Sequence, residues 1–82
     1  MQTTISHIQF NVHQSNLPFY RDLMVFLGWQ TLYDVDEMLG VSAAGGSSLW
    51  FSAYSVKEVS NDYDGPGMNH FALGAAAQAD VD

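Results

Sequence analysis

The chain has 82 residues, of which 48% are hydrophobic and 13% aromatic, enough for one small folded domain but not for two. Its nine carboxylates and only two Lys or Arg side chains give a net charge of −7. Nucleic-acid binding is excluded because it requires basic side chains that neutralise phosphates, and anionic membranes would also repel the chain. Without cysteine there is no disulfide or thiolate metal site. The sequence shows neither the pattern of a secretory signal peptide nor an apolar run long enough to span a bilayer, so the expected location is the cytoplasm.

The first predicted element is a β-strand at residues 4–12 (TISHIQFNV), where apolar and polar side chains alternate. The apolar face carries Ile8, Phe10 and Val12. The polar face carries His7, Gln9 and Asn11. The apolar side chains suit a core, whereas the polar ones face either a cavity or water. Gln9 and Asn11 are therefore candidate ligand-binding residues, with an outward polar strand face as the alternative.

The second predicted element is a helix from about residue 16 to 27, whose apolar side chains recur every three or four positions and face a sheet. Ser15 or Asn16 can cap its free amide groups, and Pro18 is compatible with a first turn. Gly28 is typical of the position just after a helix end. His13, between the strand and this helix, is expected to be exposed near the cap.

Three more strands are predicted after the helix, at 29–35, 38–44 and 48–56. An acidic turn at 34–37 joins the first two. Gly45 and Gly46 form a tight turn before the third, because glycine accepts positive φ without steric cost. Trp50 and Tyr54 share one face of that third strand, where core packing or a dimer contact is favoured over stacking on a substrate.

The remaining residues predict a linker and the start of a repeat. Residues 57–67 are polar and contain a Gly-Pro-Gly turn, whereas 68–76 alternate like a strand. His70 stands one position ahead of an alternating apolar series, as His7 does in the first strand. The predicted organisation is a βαβββ module at 1–56, a linker at 57–67, and a first strand and helix start of a second module at 68–82.

Several segments resemble the vicinal oxygen chelate superfamily, which includes glyoxalases, bleomycin-resistance proteins and extradiol dioxygenases. In chain order, the similar segments are ISHIQFNV at 5–12, LPFYRDLMVFLGW at 17–29, SLWF at 48–51 and GMNHFAL at 67–73. Together they run through essentially the whole chain. The resemblance implies an α+β fold, with one βαβββ module and one extra strand from a second module that is truncated at residue 82.

The resemblance also implies two metal ligands. In metal-dependent members the first strand of each module offers a histidine to a divalent metal, and His7 and His70 occupy those positions. Imidazole suits Fe, Mn, Ni or Zn. Glyoxalase I enzymes add a glutamate from the fourth strand, where this chain has Phe51 or Ser52. The carboxylate of dioxygenase-like members lies beyond the part of the second module present here. The metal set is incomplete in one chain, so a metal-free protein is equally plausible.

Two functions remain open at this stage. One is a glyoxalase- or bleomycin-resistance-like protein that binds a small molecule, metal-free or with an incomplete metal site. Its acidic charge would suit a cationic ligand. The other is a metal-dependent lyase, dioxygenase or thiol transferase, whose two histidines are completed by a carboxylate from another chain or from the missing C-terminal half. The candidate ligand-binding residues are Gln9, Asn11, Trp50 and Tyr54.

A homodimer is expected in either case. A four-stranded module leaves unpaired strand edges and an uncovered sheet face, and in the family that this chain resembles two modules close the cavity. Residues 68–76 could be exchanged between the two subunits. Whether the protein is an enzyme, and which compound it binds, does not follow from the sequence.

Overall fold

The computed structural model, which describes residues 1–62 and 64–76, has one α-helix packed on a four-stranded mixed sheet. The strands are β1 (His7–Asn11), β2 (Gln30–Val35), β3 (Met38–Ser42) and β4 (Ser48–Ser52). A 3₁₀ turn, Gln14–Asn16, leads into the helix α1, Leu17–Phe26. The predicted α+β class is confirmed. No helix in this part of the chain is long and apolar enough to cross a bilayer.

The sheet has the strand order β1-β4-β3-β2, which leaves β1 and β2 at its edges. β2, β3 and β4 form an antiparallel meander, whereas β1 lies parallel to β4. In that register His7 is opposite Ser48 and Asn11 is opposite Ser52. The first strand of the chain therefore pairs with the last one, and its outer edge has no strand beside it among the described residues.

The core lies between α1 and one face of the sheet. Its buried apolar side chains are Val12, Leu17, Met24, Leu39, Val41, Leu49 and Phe51. Alternate residues of the two central strands point toward the helix, so that Leu39 and Val41 are each only 1% exposed. Burying a side chain of this kind stabilises the fold by about 1.5–3 kcal/mol. The rings of Tyr20 and Phe10 both stack on Phe51, with ring centroids 4.6 and 5.5 Å away.

The two ends of α1 differ in how closely they follow the prediction. Asn16 is the N-cap residue, but its side chain makes no capping hydrogen bond. It has the αR backbone of the preceding 3₁₀ turn rather than the extended backbone typical of a cap, so the turn continues into the helix. At the other end, Gly28 has φ +84°, and the amides of Gly28 and Trp29 donate to the carbonyls of Val25 and Met24. This is a Schellman motif, and it confirms the predicted glycine stop.

The C-terminal part departs from the prediction. β4 ends at Ser52, so Tyr54 lies in a turn rather than in a strand that reaches residue 56. Residues 68–76 form no strand, and that prediction is wrong. Instead of pairing through its backbone, this segment places the Phe71 ring 5.4 Å from that of Phe10. The helix start predicted at 78–82 lies outside the described residues.

Candidate ligand-binding site

The sheet face opposite α1 is open and carries four of the predicted site residues, three on β1 and Trp50 on β4. His7, Gln9 and Asn11 are exposed there, because the half-buried Ile8 and Phe10 between them turn toward the core. Gln9 is paired with Trp50 of β4, so these two predicted residues lie side by side. The polar face predicted for the first strand therefore exists and is accessible.

Trp50 covers the middle of this open face. It is paired with Gly40 of β3, and a Cβ atom at position 40 would collide with three carbons of the indole ring. The indole nitrogen donates a 3.0 Å hydrogen bond to the hydroxyl of Ser48, and the ring of Tyr33 lies 6.2 Å away. Trp50 is thus held flat over a glycine, which gives it a packing role within the sheet.

A cleft of about 780 Å³, here called the β1-end cleft, lies where β1 leads into α1. One wall is formed by the segment 54–61, which follows β4. Aromatic lining comes from Phe10, Tyr20, Tyr54 and Phe71. Polar and basic lining comes from Asn11, His13, Lys57, Ser60, Asn61 and His70. The cleft therefore combines aromatic rings with polar and basic groups, and the 54–61 segment contributes Val56 and Val59 to it as well as Lys57, Ser60 and Asn61.

His13 fastens the 54–61 segment to the rest of the fold. Its Nδ1 lies 3.0 Å from a carboxylate oxygen of Glu58, and its Nε2 lies 3.1 Å from the carbonyl oxygen of Val59. The carbonyl of Val59 can accept a hydrogen bond but not donate one, and the same holds for Glu58 when it is ionised. Only the doubly protonated imidazolium can therefore donate to both partners at once. Immediately before this segment, the amide of Ala53 donates a 2.9 Å hydrogen bond to the carbonyl of Glu37.

The charged side chain that lines the cleft is positive, whereas the net charge of the whole chain is negative. Although the protein has nine carboxylates, no Asp or Glu belongs to the described lining of the β1-end cleft. Lys57, one of only two Lys or Arg residues in the chain, does belong to it. Glu58 lies nearby at the rim, paired with His13, and its side chain is 82% exposed. The described lining of the cleft consequently carries one strong cation and no carboxylate.

A second cavity of about 420 Å³, here called the core-side cavity, adjoins the first. Phe10, Asn11, Tyr20 and Phe71 line both cavities. The rest of its lining is entirely apolar: Val12, Leu23, Met24, Leu49, Phe51 and Leu73. This space lies on the helix side of the sheet beside β1, where Phe71 and Leu73 cover it only in part and remain 42% and 45% exposed. The two cavities together form a trough with a polar end and an apolar end.

The predicted site residues thus fall into two groups. Asn11, Tyr54 and His70 line the β1-end cleft, whereas His7, Gln9 and Trp50 do not. His70 is exposed, with Nδ1 3.4 Å from the side-chain oxygen of Asn69. Within residues 1–62 and 64–76 no group of three His, Asp or Glu side chains is arranged to hold a metal ion. His7 and His70 are therefore not part of such a group within the described residues.

Sequence reasoning missed three residues of the cleft. His13 was expected to be exposed near the helix cap, but it joins the cleft wall to the end of β1. Phe71 was assigned to a strand and instead packs by its ring. Lys57 was placed in a linker, although its rarity as a cation in this acidic chain is a signal that could have marked it. The partners of His13 and Phe71 are distant in sequence, so no local pattern reveals them.

No protein-family model, curated protein or solved structure matches the chain.

Proposed function

We propose that this chain is a small-molecule-binding protein of the glyoxalase and bleomycin-resistance type, with the β1-end cleft as its ligand site. The observation that carries the proposal is the cleft itself, whose 780 Å³ fall within the range of about 300–1,000 Å³ typical of ligand pockets. The order of one strand, one helix and three strands, together with the sequence resemblance described above, supports the family type.

The lining has the composition expected of such a site. Ligand pockets combine apolar and aromatic walls with a few polar groups that fix orientation. Here Phe10, Tyr20 and Phe71 supply ring surfaces, and Asn11 and Tyr54 supply hydrogen-bonding groups at the rim. Asn11 also belongs to the exposed polar face of β1, so it can report on both surfaces.

The direct test is a titration with 2-naphthamide, a neutral planar probe, followed by two-dimensional ¹H–¹⁵N NMR. We expect shifts at Asn11, Tyr54 and His70 and no shift at Gln9 or in the indole N–H of Trp50. The variant Tyr54→Ala should weaken binding, whereas Gln9→Ala, which alters only the open face, should not. Shifts confined to the open face would refute the cleft and move the site to the Trp50 surface.

The alternative proposal is a metal-dependent enzyme that needs a second chain. Since residues 1–62 and 64–76 do not bring three metal-binding side chains together, His7 and His70 would require a carboxylate from a partner or from further sequence. The free edge of β1 supports association of two copies, because an unpaired strand edge can pair with another strand. A homodimer, with residues 68–76 exchanged or not, would also cover the partly exposed Phe71 and Leu73.

Native mass spectrometry after incubation with Mn, Fe, Ni or Zn tests this alternative. A dimer that retains metal, and loses it in both His7→Ala and His70→Ala, would favour the enzyme. A metal-free dimer would leave the binding protein as the function. Retention of the metal by His7→Ala, with the same stoichiometry, would rule out His7 as a ligand.

A further inference from the structure

We infer that the ligand is an amphipathic organic anion, namely a flat aromatic body that carries one carboxylate or similar acidic group. This inference deepens the proposed function and depends on the β1-end cleft being the ligand site. It runs against the net charge of −7, which by itself favours a cationic ligand.

The apolar half of the ligand is defined by the core-side cavity. Four side chains line both cavities, so a ligand that enters the β1-end cleft can extend its apolar part beside Phe10 and Tyr20 toward Leu23 and Leu49. Rings favour offset-stacked or edge-to-face partners, and Phe10 already makes both kinds of contact, with Phe51 and Phe71. A planar aromatic body therefore suits this end better than a branched polar one.

The head group is defined by the opposite end of the trough. Lys57, His13 and His70 are the ionisable side chains among the described lining residues besides the tyrosines. Lys57 and His70 can each donate a hydrogen bond to the head group, whereas both ring nitrogens of His13 already contact Glu58 and Val59. A carboxylate placed here would find donors without meeting a carboxylate of the lining. A cationic head group would find no carboxylate in the lining, since Glu58 lies at the rim and is already paired with His13.

The acidity of the whole molecule does not outweigh this local arrangement. Charges on exposed side chains are screened over about 8 Å at physiological ionic strength. Arg21, the other strongly basic residue, is already paired with Asp34 at 2.7 Å, away from the cleft lining. Groups in contact with the head group therefore decide which charge is preferred, and the distant carboxylates mainly slow the approach of an anion.

Three probes with the same ring system separate the possibilities: 2-naphthoate, 2-naphthamide and 2-naphthylmethylammonium, each titrated by calorimetry and NMR. We expect 2-naphthoate to bind roughly tenfold more tightly than 2-naphthamide, as a charge-assisted hydrogen bond to Lys57 would give. The cation should bind most weakly. Raising the salt concentration should reduce the advantage of the anion and leave the amide unchanged.

Two charge-matched variants test the origin of the preference. Lys57→Gln should remove most of the advantage of 2-naphthoate over 2-naphthamide, because it should weaken binding of the anion far more than binding of the amide. Arg21→Gln removes the same charge elsewhere and should leave both affinities unchanged. Circular dichroism of both variants verifies that they fold.

The outcomes distinguish the two levels of the proposal. If 2-naphthamide binds in the cleft but the cation binds more tightly than 2-naphthoate, the anion inference is overturned and the binding function stands. Equal loss of anion binding in Lys57→Gln and Arg21→Gln would likewise overturn it, because net charge alone would then set the preference. If none of the probes binds, the proposed function itself fails.

Discussion

Apolar side chains occur both in the helix–sheet core and in the C-terminal segment 68–76, but they are buried to different extents. Leu39 in β3 is 1% exposed, whereas Leu73 in the C-terminal segment is 45% exposed. Leu39 lies between two hydrogen-bonded strands and under the helix, while residues 68–76 have neither strand nor helix geometry. Hydrophobicity alone therefore does not bury a segment, since burial also requires a partner for its backbone.

Replacing each of these two leucines by alanine is expected to give the largest difference in the free energy of unfolding. Leu39→Ala should lower the free energy of unfolding by about 2–5 kcal/mol, because it leaves a cavity in a closed core. Leu73→Ala should lower it by less than about 0.5 kcal/mol, as is usual for surface positions. Urea denaturation followed by circular dichroism measures both. Similar losses for the two variants would mean that the C-terminal segment is part of the core.

A second comparison concerns Gly40, in the middle of β3, and Gly45, in the turn between β3 and β4. Gly40→Ala should destabilise the fold by about 1–3 kcal/mol, because its Cβ would collide with the Trp50 ring. Gly45→Ala meets no atom within 4 Å and should be neutral, or stabilising by about 0.4–1 kcal/mol. Thermal unfolding compares them directly. Full stability of Gly40→Ala would show that the indole moves away freely.

A smaller and more local effect is expected at His13, which connects the end of β1 to the segment 54–61. His13→Ala removes the contacts to Glu58 and Val59, so the segment 54–61 should open more often. We expect faster amide hydrogen exchange at Val59, whereas global stability should change by no more than about 1 kcal/mol. His7→Ala, on the open sheet face, is the control and should leave this exchange rate unaltered. Unchanged exchange in His13→Ala would show that other contacts hold the segment.

The smallest effect is expected from the ion pair between α1 and β2. Arg21 contacts both the Asp34 carboxylate, at 2.7 Å, and the carbonyl of Val35, at 3.3 Å. Both side chains of the pair are partly exposed, so Arg21→Gln should cost only about 0.2–1 kcal/mol, and less at high salt. Urea is the suitable denaturant because it is neutral, whereas guanidinium chloride is a salt that screens exposed charges. A loss above 2 kcal/mol would mark this pair as part of the core.

The fold could be predicted from the sequence where the periodicity of apolar residues matches the face that is buried in the structure. The alternation at 4–12 and the helical spacing up to Gly28 placed β1 and α1 correctly to within a few residues. The strand at 68–76 was predicted from the same kind of alternation and was wrong. Alternation describes which side chains share a face, but it cannot supply the neighbouring strand that a ladder needs.

The site was less predictable for a related reason. Asn11, Tyr54 and His70 were proposed from strand faces and from resemblance, and all three line the cleft. That location is compatible with a binding role, but it tests neither ligand binding nor the metal role of His7 and His70. The 54–61 wall depends on a contact between His13 and Glu58, 45 positions apart, which no periodicity encodes.

The parallel pairing of β1 with β4 also sets an order of assembly. β2, β3 and β4 are joined by short turns, whereas β1 can pair only after the chain from His7 to Ser48 has closed into a loop. Closing a long loop costs conformational entropy before any contact is gained. We therefore expect Ile8→Ala to speed unfolding while leaving the refolding rate nearly unchanged, as stopped-flow kinetics can measure. On this expectation, the first of the four described strands along the chain is the last to enter the sheet.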